Sequence, residues 1–370
     1  MLYVASLVKG RESRMRQNNT HKNIKLRSIC ATLFISLFLS CNSGIEELQK
    51  RNTFFDSFLK IGNSFQEILG FFGNTMGDAL EFGSIKPDDN RDKVGKHFEK
   101  VGEGLKNTKT KLDELAIKIS STPNADTKGI EDSIKGANDV FDQLIKSVKK
   151  LAGVTKATDK IGEVNITNAN KGAPPADVNI FIEGVQEIID TATTKSGVEI
   201  GKGTDGDQVP HKSGADATAA LVGKNSAKAD ANAGSLLAEV VSKADPWAMI
   251  NKIKSATKTG AALNQDDNNE VGTLATSVAT GGDNIGSKTT ADLAAAVALK
   301  AMTKTGTFSA NNANEALAVK AAAATAVNKV LGILDLIIRQ TVVKHLEKIR
   351  EAVKGIQYSE TTGESSEGKN

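Results

Sequence analysis

The segment Asn312–Lys354 constrains the fold more than any other part of the 370-residue chain. Leu317, Ala324, Val327, Leu331, Leu334, Ile338, Val342, Leu346, Ile349 and Val353 recur there at helical intervals, so on an α-helix they share one inward face. Asn311 or Asn312 can cap its start, and Gly355 is its natural stop. At 1.5 Å per residue such a helix would be roughly 65 Å long. Its stripe is expected to pack on helices from the first half of the chain.

Those partners are legible in the same way. Phe54, Phe58, Phe65, Ile68, Phe72 and Met76 follow helical spacing. A second helix, opened by Asp88 or Asp89 after Pro87, carries Val94, Phe98, Val101, Leu105, Leu112, Leu115 and Ile119 and stops before Pro123. A third is expected over Gly129–Leu151, with Ile130, Ile134, Phe141, Leu144, Val148 and Leu151 inward. After Pro174 and Pro175, a shorter one presents Val178, Phe181, Ile182, Val185, Ile188 and Ile189. Lysines fill the opposite faces. The stretch from about Thr193 to Thr289 differs: it holds twelve glycines and one aromatic residue, Trp247, and reads as loops around two short helices, Gly234–Ala244 and Pro246–Lys258. Asp245 before Pro246 is a cap followed by a good first helical residue. Little large apolar surface is available to hold these loops inward, so substitutions there are expected to cost little. "ADLAAAVALKAMTK" is a helix capped by Thr289 or Thr290 and ended by a left-handed Gly306, with Ala294–Met302 mostly buried. Few aromatics, much alanine and only six prolines agree with an all-α chain.

The N-terminus carries a different signal. Ile29–Leu39 is an apolar run too short to span a bilayer but suited to a secretory signal, with Lys22, Lys25 and Arg27 before it and Ser40-Cys41 after it. A small residue and then Cys after such a run marks a bacterial lipoprotein, cut before Cys41 and acylated on it. The usual Leu three residues before the Cys is Phe38 here. An ordinary signal peptide or a buried apolar turn are the plainer alternatives. Residues 1–40 are assigned to the signal, with Met15 as an alternative start; 41–356 form one lipid-anchored helical domain with a loop-rich insert at about 193–289, and 357–370 a disordered tail.

Removing the leader takes away seven basic side chains and one acidic one from totals of 47 and 44, leaving a formal net charge of −3. A near-neutral chain gives no electrostatic case for binding nucleic acid. With Cys30 gone, Cys41 has no disulfide partner. His97, His211 and His345 lie far apart with no nucleophile or metal motif; His97 and His345 read as surface or packing residues. "GKGTDG", Gly201–Gly206, fits G-x-G-x-x-G literally, but no strand precedes it, and Asp205, Asp207 and Pro210 crowd the would-be helix start. Asp266, Asp267 and Glu270 lack the spacing of a Ca²⁺ loop. Trp247 reads as a helix-start aromatic packed on its neighbour. No catalytic residue, cofactor site or metal site is assigned.

Three stretches together, "SCNSG", "TTADLAAAVALKAMTKTGTFSANN" and "AAAATAVNKVLGILDLIIRQTVVKHLEKIREAVK", resemble the variable large proteins of relapsing-fever Borrelia, a branch of the variable major protein family, and are similar also to the Vls surface lipoproteins of Lyme spirochaetes. "FIEGVQEIID" fits as well. The resemblance implies an elongated helical bundle, long N- and C-terminal helices at its membrane-proximal end and a loop-rich distal region. It implies a non-enzymatic antigen and steric shield on the outer membrane, with switching among family members to evade host antibodies. The partners implied are outer-membrane lipid through acylated Cys41 and host antibodies; a homo-oligomer is possible. An adhesin for a host surface or matrix ligand is the alternative. Cys41→Ser is expected to leave a soluble or unprocessed protein, since each buried acyl CH₂ contributes about 0.8 kcal/mol to anchoring; continued membrane partitioning and surface display of that variant would refute the anchor.

Overall fold

The computed structural model describes residues 45–80, 84–168, 170–257, 259–280 and 285–358, with backbone alone for 45–46 and 75–80. Cys41, the leader and the tail beyond Tyr358 lie outside the described residues, as does the side chain of Met76. The chain divides into two compact units, Met1–Phe55 and Asp56–Asn370. The described part of the first is helical.

The described elements are ten α-helices, one turn of wider π-helix and two two-residue strands. They run α1 (Ile45–Leu80), α2 (Asp92–Ser120), α3 (Lys128–Thr155), β1 (Val164–Asn165), α4 (Pro175–Asp190), the π turn (Thr191–Lys195), α5 (Ala217–Val222), α6 (Ala233–Lys243), α7 (Pro246–Ser255), α8 (Val271–Thr276), α9 (Thr290–Met302), β2 (Phe308–Ser309) and α10 (Ala313–Lys354). The strands pair in parallel, Val164 with Phe308 and Asn165 with Ser309. The fold is all-α.

The periodic stripes form the core of the larger unit. Every apolar residue assigned to the inner faces of α2, α3 and α4 is buried, and α2 and α3 make the most extensive helix pair. Along α1, Ile61, Phe65, Ile68 and Phe72 join the same core. Lys118 Nζ donates to Ser64 Oγ at 3.1 Å and the Lys111 ammonium lies over the Phe71 ring, so α1 runs antiparallel to α2. The turn after α2 meets the end of the described chain, where Asp126 N donates to Gln357 O at 3.4 Å and Ala125 bridges Tyr358. Ser64, Lys118, Asp126 and Tyr358 therefore lie toward one end of this unit. α10 is long and apolar enough to cross a bilayer, but most of its apolar stretch is spent inside the protein.

Several local expectations change. Asp88 and Asp89 do not cap α2; they sit in the preceding turn, where the Asp89 carboxylate accepts from Lys86 N at 2.7 Å and pairs with Lys93, and the helix begins at Asp92. Asn312 caps α10, its Oδ1 accepting from Asn314 N and Glu315 N at 3.0 and 3.1 Å, and α10 ends at Lys354 before Gly355. Leu317 points outward, 64 % exposed, because the buried arc of the first turns is carried by Ala316, Val319, Ala322 and Ala323. Thr305, not Gly306, takes the left-handed conformation after α9, with φ 59°. Gly306 answers a steric need: a Cβ there would stand 2.8 Å from Lys300 Cγ.

The insert holds more structure than its composition suggests. Beside α6 and α7, it contains α5 and α8, each six residues long and wholly or almost wholly buried. Neither is long enough to display a period. α7 ends at Ser255, earlier than the expected Lys258.

Leu334 and Ile338 are fully buried on α10. Truncating either to Ala should cost about 2–5 kcal/mol in denaturant unfolding, whereas Leu317→Ala should stay within about 0.5 kcal/mol. Equal small effects at all three positions would contradict this packing.

Candidate functional site

α9 is the most enclosed element. "TADLAAAVALKAM" has no polar face, and every residue from Ala291 to Met302 is buried. Six alanines let neighbouring backbones come close, and α4, α6, α7, α8 and α10 all pack against it. A helix buried all round cannot leave its first N–H groups to water, so the protein must supply acceptors. Thr289 Oγ1 accepts from Asp292 N at 3.1 Å and donates to the Asp292 carboxylate at 2.6 Å. The preceding two donors are met by a distant segment: Thr290 N donates to Asp207 O at 2.7 Å and Ala291 N to Asp205 O at 2.9 Å.

That segment, residues 197–211, is a strap laid over the N-termini of α7 and α9. Val209 exchanges two backbone hydrogen bonds with Ser287, at 3.0 and 2.8 Å. Asn251 Nδ2 donates to Gly201 O and Lys202 O, both at 2.8 Å. Gly201 sits against the face of Trp247, where a Cβ would come within 2.7 Å of the ring. Gly203, at φ +66°, crosses so close to α7 that a Cβ would stand 2.4 Å from Ala248 N. The "GKGTDG" glycines thus permit close approach to helix starts of this same chain. Asp245 Oδ1 caps α7, accepting from Trp247 N at 2.8 Å and Ala248 N at 3.3 Å. The strap is not loosely held, which corrects the expectation that the whole insert tolerates change: close contact fixes its backbone, and only outward side chains such as Lys202, Thr204 and Asp207 are free to vary without disturbing it.

Ionisable groups join the strap to the core. Lys252 Nζ lies 2.9 Å from Asp205 and 3.3 Å from Asp292. Burial works to lower the Lys252 pKa, but its bonds to Asp205 and Asp292 hold it above the ordinary value. Burial raises that of Asp292 despite Thr289 and Lys252. Deeper in, Arg91 and Lys300 are wholly buried. Arg91 donates from Nη2 to Gly306 O and lies 3.9 Å from Asp159; burial lowers its pKa to about 10. Lys300 Nζ donates to Leu221 O at 2.7 Å and lies 5.8 Å from the Phe308 ring centre.

The residues singled out in the sequence do not converge. His97 is buried with Nε2 2.9 Å from Asp335 Oδ1. His345 is buried with Nε2 3.0 Å from Ser196 Oγ; burial, then the charge of Lys348, push its pKa down to about 4. Both histidines are therefore interior groups with specific partners and not surface residues. His211 is buried on the strap, and its backbone N donates to Asp267 Oδ1 at 3.0 Å, so the acidic cluster tethers a loop. Among the described residues no three His, Cys, Asp or Glu side chains are grouped to hold a metal ion. The residues that sequence reasoning missed are Lys300 and Arg91. Lys300 had a signal, as the lone cation inside an alanine-rich run; Arg91 had none, standing in a polar loop.

Gly203→Ala should cost at least about 2 kcal/mol, from the left-handed conformation and the clash with Ala248. Thr204→Ala next to it should stay within about 0.5 kcal/mol. Chemical denaturation of both variants checks the strap, and tolerance of alanine at 203 would contradict it.

Comparison with known proteins agrees with this architecture. A family model described as Borrelia lipoprotein matches residues 65–353. Variable large protein 12 of Borrelia hermsii is 51 % identical over 93 % of this chain and 96 % of its own length. Variable large protein 14 of the same organism is 49 % identical over 91 % and 95 %. Among solved structures, the Lyme disease variable surface antigen VlsE of Borrelia burgdorferi superposes with a TM-score of 0.68 at 27 % identity, covering 82 % of this chain and 99 % of that one. The chain belongs to the Borrelia lipoprotein family, in its variable large protein branch.

Proposed function

We propose that this chain is an outer-surface lipoprotein, held in outer-membrane lipid through acylated Cys41, that serves as a variable antigen and steric shield against host antibodies and carries no catalytic activity. The observation that carries the reading is the contrast between α9 and the strap that closes it. Every residue from Ala291 to Met302 is buried, while the strap presents a run of exposed side chains from Lys202 to Gln208 on a backbone fixed by close contacts. Gln265, Asp266 and Asn268 add a second exposed group, tied to the first where Gln208 Nε2 donates to Asp267 O at 2.8 Å. Such a surface can change its side chains without refolding, the physical condition for antigenic change. Replacement of the expressed copy by a sister copy then changes what antibodies meet, while α9 stays out of reach.

The test exchanges the side chains at 202, 204, 207, 265, 266 and 268 for those of a sister copy, leaving Gly203, Asp205, Gly206, Gln208 and Asp267 in place. Melting should shift little, and serum raised against live cells should lose most of its binding. Unchanged recognition by bactericidal serum would sink the shield, and loss of attachment to host cells or matrix with intact serum binding would favour an adhesin.

A further inference from the structure

The charge on Lys300 is met by no carboxylate among the described residues, only by the Phe308 ring 5.8 Å away. Its side chain is wholly buried, and among the described residues no carboxylate lies within ion-pair distance of it. Nζ has one acceptor, the carbonyl of Leu221 near the C-terminus of α5. That carbonyl is one of those a helix end leaves without an internal donor, so the lysine amine caps α5 from within the core. An amine with one acceptor is tolerable there; an ammonium would bury three donors and a full charge. The other buried ionisable groups offer no relief. Arg91 carries like charge, and Asp159 and Glu163 act on Arg91. Asp292, two turns away on α9, is engaged by Thr289 and Lys252. His97 and Asp335 pair with each other, His345 bonds Ser196, and His211 lies on the strap.

We propose that Lys300 is a proton-operated latch: as a neutral amine it ties α5 to α9 through Leu221 O, and on protonation that hold weakens and α5 opens more readily. Burial, reinforced by Arg91, lowers the Lys300 pKa from 10.5 to about 7, in line with the geometry. The unfolded or opened chain binds a proton below about 10.5, and the closed one below about 7. Closure therefore strengthens as pH rises from 7 towards 10.5 and is at its weakest, and flat, below 7. This holds whether or not the chain acts as a shield, because it concerns only the bond from Lys300 on α9 to Leu221 O on α5.

The test uses the full mature chain. Lysine side-chain NMR should show one resonance, absent from Lys300→Gln, that titrates near pH 7 while the others titrate near 10. Hydrogen exchange at Ala217–Val222, corrected for intrinsic rates, should report an opening equilibrium that falls about ten-fold per pH unit above 7 in the wild type relative to Lys300→Gln. Lys300→Gln keeps a donor for Leu221 but has no proton to gain, so its α5 should stay closed at pH 6. A Lys300 titration near 10.5 in the folded wild type would overturn the latch by itself, even if the variant fails to fold. So would equal pH dependence in the two proteins, or acid-induced opening spread evenly over α2 and α3.

Discussion

A helix without a polar face imposes a requirement on everything around it. α9 buries its whole circumference, so its terminal N–H groups must find acceptors inside the protein. Thr289 supplies one and the strap carbonyls of Asp205 and Asp207 supply two more. To deliver them, the chain must cross the starts of α7 and α9 at backbone contact distance, and this is why glycine stands at 201, 203 and 206. Glycine at these three strap positions is thus a consequence of the buried alanine-rich helix more than a mark of looseness.

Long cationic side chains answer the same need at the other ends of helices. Lys329 on α10 donates to Val241 O, Ser242 O and Ala244 O at the end of α6. Glu315, on the same helix, accepts from Gly234 N and Ser235 N at the start of α6. α10 thus holds α6 by both termini, acid at the positive end and base at the negative one, as the helix dipole favours. Lys344 donates to Gly197 O after the π turn, and Lys300 to α5. Lys300 differs from the others in being wholly enclosed.

What the sequence displayed depended on length. α2, α3, α4 and α10 repeat their apolar residues often enough for the period to be plain, and every inward residue named on α2, α3 and α4 is buried. α5 and α8 span under two turns and gave no such signal. Asp245 and Asn312 were readable as caps because a capping side chain acts within three residues of itself. Leu317 points outward because it lies two turns beyond the rest of the ten-residue stripe, in a stretch where alanines do the packing. The strap and the Arg91–Gly306 contact join residues far apart along the chain, which no local pattern encodes. The anchor at Cys41 was readable from its apolar run and flanks alone, and lies outside the described residues.

The strap also bears on the order in which the molecule can be completed. Its acceptors at residues 205–207 are synthesised some eighty residues before the donors at 290–291 that they satisfy. Val164 waits for Phe308, Arg91 for Gly306, and Ile85 for Asn328, with which it exchanges two hydrogen bonds. Contacts of such separation make closure slow relative to the formation of the local helices. The N-terminal helices and the insert can gather early, but their central column arrives with α9 and their clasp with α10. The chain is closed by its last quarter, and until that quarter is available the helices around α9 have nothing to enclose.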